Sequence, residues 1–318
     1  MKEYAVRHIT HTDLDGVACS VLSHYMYDNN QNIDFTVTYC DYDNVNEEVL
    51  RQLKEIEEIG TAQMTLLLIT DISVTEETAR KIDELQQSLF SIFICRLIDH
   101  HQLSQEMHDY KWTTINSGGD ECGTSLLFKD TEFFSDTFKN KGMADFVEAV
   151  RLYDLWKFDK ENRNKSVDLN HLRYILGIDP FIELITAILR REEDNIVRTD
   201  IEGSLINTIL MAKYGDEADY ITKKLKLVKD VEYKGHKGKY VFAEQYISQL
   251  GNNMLKCFPD AEFAAIVDPN GKVSLRSREG GLNVGLDVAY HFGGGGHPQA
   301  AGYTMKPMVF TMEENGNA

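Results

Sequence analysis

The chain has 318 residues, of which 42% are hydrophobic and 26% are charged. This balance is typical of folded globular proteins and excludes a disordered or fibrous chain, and the length suits two domains or one large one. The formal net charge of −18 argues against tight wrapping of long DNA or RNA, because an acidic surface repels a polyanion. A small phosphorylated ligand in a local positive pocket stays compatible with this charge.

Hydrophobic patterning and cysteine placement indicate where the protein works. No apolar run reaches the ~18 residues of a membrane span, and the N-terminus reaches charged residues before a signal-type apolar core forms. The five cysteines are scattered and include no CxxC pair, which argues against a disulfide framework or a thiolate zinc site. We therefore predict a cytoplasmic protein with reduced thiols and no membrane partner.

The N-terminal half alternates between strand and helix periodicity. Short β-branched and apolar runs predict four strands, at 4–9, 33–39, 64–69 and 91–98. Helical spacing predicts helices between them, at 17–27, 46–59 and 74–87. The third helix opens with the capping-box pattern Ser73-Val-Thr-Glu76. This alternation predicts βαβ units and a parallel sheet with buried inner strands.

The C-terminal half changes character twice. Helices are predicted at 124–128 and 143–153, and a long charged segment at 180–231 is helix-like and connects two lobes. Strands return from residue 239, with a pair around the turn Asp268-Pro-Asn-Gly271. The predicted fold class is therefore α/β, with a parallel-sheet domain joined by a helical linker to a smaller α/β domain and a cleft between them.

Acidic and histidine residues recur where the predicted strands end, which is where parallel α/β sheets bind ligands. They are His11-Thr-Asp13-Leu-Asp15-Gly16, Asp71 and Asp99-His100-His101, with Asp154 at the end of a helix. A single Asp after a strand is usually a helix N-cap, and we assign Asp41 and Asp43 to turn and cap roles. Repetition at several strand ends, with paired histidines, instead predicts a metal site.

The charge of this set predicts how many ions it holds. Asp13, Asp15, Asp71 and Asp154 together carry four negative charges, which two divalent ions would neutralise. Two ions about 3.5–4 Å apart form a clamp for in-line attack on phosphorus. Carboxylate and imidazole ligands without thiolate favour Mn²⁺ over structural zinc, and Mg²⁺ or Co²⁺ could substitute.

These blocks, in this order, resemble the DHH phosphoesterase superfamily. The segment Gly293-Gly-Gly-Gly-His297-Pro-Gln-Ala-Ala-Gly302 looks like the hallmark of its accompanying DHHA1 domain. The resemblance implies a DHH catalytic, metal-binding domain at 1–185, a helical linker at 186–232 and a DHHA1 substrate-binding domain at 233–314.

The same resemblance implies a role for each site residue. One ion would be held by His11, Asp13 and Asp71. The second would be held by Asp15, Asp71, His100 and Asp154, so that Asp71 bridges the pair. Asp99 would orient a histidine, and His101 would face the scissile phosphate. The catalytic set is thus His101, Asp99 and Asp71, with a hydroxide between the ions as the nucleophile and no covalent intermediate.

Substrate contacts are expected from the C-terminal lobe. Arg276 and Arg278 alternate along a strand, so both can point to one face, and an arginine can pair with phosphate through two hydrogen bonds. An ordinary surface role is the alternative, above all for Arg278. The backbone of Gly294, Gly295 and Gly296 can approach an anion and expose amide donors, with His297 as a further donor. The alternative for the glycines is a loop or strand bulge.

Within the superfamily, the spacing HTDLDG differs from that of class II pyrophosphatases, and there is no room for the extra domain of a RecJ-like exonuclease. The chain looks most like the nanoRNase B type. We therefore predict an Mn²⁺-dependent phosphodiesterase that hydrolyses short oligoribonucleotides or dinucleotides to 5′-mononucleotides.

Two alternatives stay open. One is a phosphatase or phosphodiesterase of a small signalling nucleotide, such as 3′,5′-bisphosphoadenosine, a cyclic nucleotide or a cyclic dinucleotide. The other is a non-catalytic nucleotide sensor. In each case the expected partners are short RNA oligomers or nucleotides and not long duplex DNA. A homodimer is compatible with the sequence.

Overall fold

The computed structural model describes residues 2–131, 134, 138–158, 163–190 and 204–305. Its contacts divide the chain into two compact units, Met1–Leu210 and Met211–Ala318. The division falls inside the helix Ser204–Leu225 (α9). The domain boundaries predicted at 185 and 232 stay predictions, and the end of the second domain predicted at 314 lies outside the described residues.

The first unit contains the predicted parallel sheet, in the order β2-β1-β3-β4-β5 with every neighbouring pair parallel. Its strands are β1 (Tyr4–His11), β2 (Ile33–Cys40), β3 (Met64–Thr70), β4 (Phe93–Asp99) and β5 (Thr113–Ile115). Its helices are α1 (Leu14–Tyr27), α2 (Val45–Ile59), α3 (Glu76–Ser88), α4 (Gln105–Asp109), α5 (Gly123–Lys129), α6 (Lys141–Asp154), α7 (Arg163–Leu176) and α8 (Ile178–Arg190). The α/β class with a parallel sheet is therefore confirmed.

Both faces of this sheet are covered. Leu67 and Leu68 are consecutive and fully buried, yet they belong to different apolar clusters. Because successive side chains of a strand point to opposite faces, one cluster lies on each side of the sheet. Because these strands are parallel, the carboxyl ends of β1, β3 and β4 lie at the same edge of the sheet, between the two apolar clusters.

The second unit contains a six-stranded sheet in the order β10-β11-β9-β8-β7-β6. Its strands are β6 (Lys229–Tyr233), β7 (His236–Phe242), β8 (Phe263–Val267), β9 (Lys272–Ser277), β10 (Gly295–Gly296) and β11 (Ala300–Thr304). All pairs are antiparallel except β7 with β8, which the helix α10 (Ile247–Cys257) connects. The predicted strand pair and its turn are confirmed, since the Gly271 amide donates to the Asp268 carbonyl at 2.9 Å.

Two local predictions are wrong. The third helix begins at Glu76 with Thr75 as its N-cap, because the Thr75 hydroxyl accepts from the Thr78 amide, so Ser73 does not form the predicted capping box. The helix-like pattern expected to continue to about residue 231 gives way to a strand at Lys229. There the chain turns through Lys234 and Gly235, both with positive φ, and β6 pairs with β7. Within the described part of the chain, no helix is both long and apolar enough to cross a membrane.

Candidate metal centre

The first site segment follows β1 and turns directly into α1. Asp13 is the N-cap of α1, and its Oδ1 accepts from the Gly16 amide at 3.1 Å, while its Oδ2 lies 3.2 Å from His11 Nδ1. A Cβ at Gly16 would lie 2.3 Å from the His11 carbonyl oxygen, so only glycine fits there. The tight turn thus holds His11 and both carboxylates of the motif beside the end of the strand.

Asp71 follows β3 and is the centre of the arrangement. Its backbone is left-handed (φ +55°), a conformation that costs a non-glycine residue about 1–3 kcal/mol and that clusters at functional sites. The side chain is 1% exposed. Its Oδ2 lies 3.8 Å from His11 Nδ1, and its Oδ1 lies 3.2 Å from His100 Nε2. The two oxygens of one carboxylate therefore face two different histidines.

The six predicted metal ligands come together as two neighbouring groups, and Asp71 of the first lies 3.2 Å from His100 of the second. In the first, donor atoms of His11, Asp13 and Asp71 all lie within 4.8 Å of one another. In the second, the same holds for Asp15, His100 and Asp154. His100 Nε2 lies 3.7 Å from Asp15 Oδ2 and 3.6 Å from Asp154 Oδ2. The structure thus brings together the residues predicted for each ion, while their function as ligands stays a proposal.

The start of α5 fixes Asp15, which sequence reasoning did not anticipate. The amides of Gly123 and Thr124 donate to the two Asp15 carboxylate oxygens, at 2.6 and 2.9 Å. A Cβ at Gly123 would lie 2.7 Å from Asp71 Cβ and 3.0 Å from Asp15 Oδ2. Gly123 is therefore a missed site residue, and a lone glycine at the start of a short helix gave no signal in the sequence.

Asp99 is buried and acts as a hydrogen-bond hub. Its Oδ1 accepts from the His100 amide at 2.7 Å and lies 2.7 Å from His101 Nδ1, and its Oδ2 accepts from the Ser73 hydroxyl. Burial alone would raise the pKa of Asp99, but the nearby His101 and His100 hold it well below its ordinary value. Asp99 thus lies behind His101, in the position expected of a carboxylate that orients this histidine.

The electrostatics of the cluster favour a bound cation. Burial, with the charges of Asp15 and Asp13, raises the pKa of Asp71 well above its ordinary value, and the same causes raise the pKa of Asp154. Burial would lower the pKa of His11, but Asp13 and Asp41 outweigh it and raise that pKa to about 10. The raised pKa values mean that these three side chains retain protons because negative charges lie close together. A bound cation would relieve the same repulsion.

Unsatisfied polar atoms support the same reading. In the described part of the chain, the buried atoms Asp71 Oδ2 and His11 Nδ1 have no hydrogen bond of good geometry, although His11 Nδ1 lies 3.2 Å from the Asp13 carboxylate. Buried polar atoms normally have partners, so such atoms need an explanation, which an ion can supply. Oxygen and imidazole donors of this kind suit a divalent metal, and the residues present therefore fit the two ions that the resemblance implies.

The loop after β2 also borders the site. As predicted, Asp41 forms a turn, since its carbonyl accepts from the Asn44 and Val45 amides. Its carboxylate in addition lies 3.8 Å from His11 Nε2, a contact that sequence reasoning missed. The next residue, Tyr42, places its hydroxyl 3.1 Å from His101 Nε2. Tyr42 carried no signal in the sequence because tyrosine is common in turns and cores.

Arg276 of β9 and Arg278, which follows the last residue of that strand, both reach α10 on one face of the sheet, as their alternation predicts. Arg276 packs against Gly251 of α10 and donates to the Ser248 hydroxyl at 2.7 Å. Arg278 donates to the backbone carbonyls of Leu255, Phe258 and Ala261, at and just beyond the C-terminal end of α10. These bonds give Arg278 a structural role, which is the alternative that the sequence left open.

The glycine run folds onto its own hairpin. A Cβ at Gly294 would lie 2.0 Å from the Gly302 carbonyl oxygen, and Gly296 has φ +134°. The amides of Gly294 and His297 donate to the carbonyls of Ala289 and Ala300. The expected exposed amide donor is therefore wrong for Gly294, while the expected role of His297 as a further donor stays a prediction. A Cβ at Gly295 would meet no atom within 4 Å, so that position is open for close approach.

Comparison with known proteins gives two informative relatives. The oligoribonuclease NrnB of Bacillus subtilis is 27% identical, and the match covers 95% of this chain and 73% of the relative. A 3′,5′-cyclic-nucleotide phosphodiesterase of Helicobacter pylori is 26% identical, with coverage of 93% and 92%. No protein-family profile matches the chain.

Among solved structures, an uncharacterised protein from Helicobacter pylori G27 aligns over 97% of this chain and 95% of its own, with 20% identity and a TM-score of 0.49. CDC45 from Entamoeba histolytica aligns over 86% of this chain and 84% of its own, with 9% identity and a TM-score of 0.41.

The motifs and the sequence relatives agree on a class. Both sequence relatives are DHH-family phosphoesterases, so the resemblance of this chain to that superfamily is confirmed. Within it, the similarity to an oligoribonuclease fits the nanoRNase B type that the HTDLDG spacing suggested.

Proposed function

We propose that the protein is a phosphodiesterase that hydrolyses short oligoribonucleotides or dinucleotides to 5′-mononucleotides and depends on two divalent ions, with Mn²⁺ as the preferred metal. The observation that carries this proposal is the position of Asp71. Its two carboxylate oxygens face His11 Nδ1 and His100 Nε2, at 3.8 and 3.2 Å, as a carboxylate shared by two ions requires.

The names of the relatives support a phosphoric ester hydrolase that acts on small nucleic-acid substrates. One relative is an oligoribonuclease and the other a cyclic-nucleotide phosphodiesterase. The net charge of −18 agrees with a short substrate, since it disfavours grip on a long strand.

His11, Asp13 and Asp71 would hold one ion, and Asp15, Asp71, His100 and Asp154 the other. The bound ions would supply a hydroxide nucleophile near neutral pH and stabilise negative charge on the phosphoryl oxygens. The protein keeps these ligands in place through the left-handed turn at Asp71 and the α5 amides that hold Asp15. No covalent intermediate with the protein is required.

His101 would contact the scissile phosphate. Asp99 is kept ionised, so its Oδ1 would accept a hydrogen bond from the N–H at His101 Nδ1 and fix the ring orientation. The Ser73 hydroxyl and the His100 amide fix Asp99 in turn. Nε2 is then the edge of the imidazole that can donate to a phosphate oxygen or accept from a neighbouring hydroxyl.

In the second unit, we assign substrate contact to Arg276, Gly295, Gly296 and His297. Arg276 is part-buried and its guanidinium bonds the neutral Ser248 hydroxyl, which a phosphate could replace. Arg278 and Gly294 are accounted for by the hydrogen bonds and close packing of the unit itself.

A second candidate function is phosphodiester hydrolysis of a cyclic or other small signalling nucleotide. The name of the Helicobacter pylori relative favours it. The same metal cluster serves both reactions, because both break a P–O bond by attack of water. Substrate comparison separates the two candidates.

The test is a substrate-length profile in Mn²⁺ buffer. Dinucleotides, a five-mer, a twenty-mer, cyclic AMP, a cyclic dinucleotide and 3′,5′-bisphosphoadenosine are incubated separately, and the products are resolved by chromatography. We expect 5′-mononucleotides from the dinucleotide and five-mer, slower cleavage of the twenty-mer, and loss of activity without metal. Faster cleavage of a signalling nucleotide would replace the first candidate with the second.

Two variants make the assay specific for the site. Asp71→Asn removes the shared charge and is expected to abolish turnover. Asp34→Asn makes the same chemical change at an exposed position near the other end of β2 and is expected to leave turnover unchanged. Nucleotide binding by wild-type protein without turnover of any substrate would favour the sensor alternative. Full activity in Asp71→Asn would remove the basis of the proposal.

A further inference from the structure

Tyr42 connects the two histidine segments of the centre. Its hydroxyl lies 3.1 Å from His101 Nε2, and its ring centroid lies 5.5 Å from that of His11 and 5.9 Å from that of His101. Its backbone is held in the turn after β2, because the Tyr42 amide donates to Asp41 Oδ1 at 2.9 Å. The phenol is therefore aimed at His101 from a fixed base.

Burial in the core does not explain this placement. Tyr42 is 50% exposed, so its ring contributes little apolar burial to the first unit. Its ring lies beside the rings of His11 and His101, and its hydroxyl is within hydrogen-bond distance of the His101 imidazole. Such a side chain is placed for a polar task at the open side of the centre rather than for packing.

The hydrogen-bond capacity of His101 defines that task. A ring nitrogen carries either one hydrogen or one lone pair in the ring plane. Nδ1 is directed at Asp99, and Nε2 is directed at the Tyr42 hydroxyl. A phosphate oxygen that approaches Nε2 must come to the place that the phenol oxygen holds in the free site. The phenol is then within hydrogen-bond reach of that phosphate.

We infer that Tyr42 is a further substrate-contacting residue, whose hydroxyl pairs with His101 in the free site and donates to the phosphate oxygen that enters at Nε2. This inference rests on the proposed function of His101. The phenol is neutral near pH 7, so it offers a donor that the carboxylate-rich cluster does not. The Tyr42 hydroxyl also gives His101 Nε2 a hydrogen-bond partner until a phosphate binds.

The test compares Tyr42→Phe with Tyr4→Phe. Both changes remove only a hydroxyl from a partly exposed tyrosine, but Tyr4 begins β1 at the opposite end from His11, roughly 23 Å away at 3.3 Å per residue. Three quantities are measured for each variant: kcat/KM for a dinucleotide, affinity for 5′-AMP in Mn²⁺ buffer by calorimetry, and Mn²⁺ affinity without nucleotide.

Removal of a hydrogen bond to a charged group typically lowers a binding or rate constant by about 10- to 100-fold. We therefore expect Tyr42→Phe to lower both kcat/KM and 5′-AMP affinity by that factor and to leave Mn²⁺ affinity unchanged. Tyr4→Phe should leave all three quantities at their wild-type values. Equal 5′-AMP affinity in Tyr42→Phe and wild type would overturn the inference, whether or not the protein is a nuclease.

The possible outcomes distinguish the proposed hydrolysis from the proposed phosphate contact of Tyr42. Absence of turnover in wild-type protein, together with weaker 5′-AMP binding in Tyr42→Phe, would refute the proposed reaction and keep the phosphate contact. If His101→Ala abolishes turnover and Tyr42→Phe leaves turnover intact, the proposed reaction is kept and the proposed Tyr42 contact is refuted. Wild-type protein that neither hydrolyses the dinucleotide nor binds 5′-AMP would refute both.

Discussion

Gly123→Ala is a small change that should disable the centre. The added Cβ would lie 2.7 Å from Asp71 Cβ, 3.1 Å from Asp71 Cα and 3.0 Å from Asp15 Oδ2. Carbon atoms in contact prefer about 3.5–4.0 Å, so the start of α5 or the Asp71 turn must move by roughly 1 Å. The two side chains that must move are those of Asp71 and Asp15, which are both proposed metal ligands.

The expected magnitudes follow from this displacement. Misplacement of catalytic groups by about 1 Å can lower the rate ~100-fold. Overpacking of a close-packed interior typically costs about 1–3 kcal/mol of stability. We therefore expect Gly123→Ala to remain folded, to bind Mn²⁺ more weakly and to lose ~100-fold in kcat/KM for a dinucleotide.

Thermal unfolding, Mn²⁺ titration and dinucleotide kinetics measure these three effects. Gly215→Ala is the matched control, because Gly215 is exposed in α9 and a Cβ there would meet no atom within 4 Å. That control should be neutral or stabilise the helix by up to about 1 kcal/mol. Folded Gly123→Ala protein with wild-type Mn²⁺ affinity and wild-type kcat/KM would refute the argument from close packing.

Three further outcomes are expected. Burial, and to a lesser extent His24, lowers the pKa of His8 to about 3. The unfolded chain therefore binds a proton that the folded chain excludes, and the free energy of unfolding should fall as pH drops from about 6.5 towards 3, by up to about 1.4 kcal/mol per unit. Mn²⁺ binding at pH 7 should release protons, because His11 has a pKa of about 10 and the pKa of Asp71 is raised, so apparent affinity should increase with pH. Arg278→Ala should lower the free energy of unfolding by about 1–3 kcal/mol and leave KM unchanged, because its guanidinium bonds backbone carbonyls.

Each of these has a direct measurement. Denaturant unfolding at several pH values compares His8→Gln, which should flatten the dependence, with the exposed His108→Gln, which should not; equal slopes would contradict the assignment to His8. Calorimetry in buffers of different ionisation enthalpy counts released protons, and a count of zero would contradict the second prediction. For Arg278→Ala, a raised KM with unchanged stability would instead indicate a phosphate contact.

The sequence was sufficient for the framework of the site. Strands that alternate with helices predict a parallel sheet, and the carboxyl ends of such strands share one edge. For that reason His11, Asp71 and His100 could be expected together before any coordinates existed. The short β5 was missed, because Thr113–Ile115 is only three residues long and too brief to show a period.

The supporting residues could not be predicted, because their roles depend on tertiary contacts. Ser73 looked like a capping residue, yet its hydroxyl donates to Asp99, and the cap is Thr75. Gly123 matters only because Asp71 lies against it. Tyr42 is separated from His101 by 59 residues, and no local pattern in the chain joins them.

The most direct test of the account is anomalous diffraction from crystals of the protein soaked in Mn²⁺. The account predicts two manganese peaks, one on each side of the Asp71 carboxylate, with His11 and Asp13 at the first and Asp15, His100 and Asp154 at the second. A single peak that Asp71 does not contact, or no peak within reach of this residue, would contradict it.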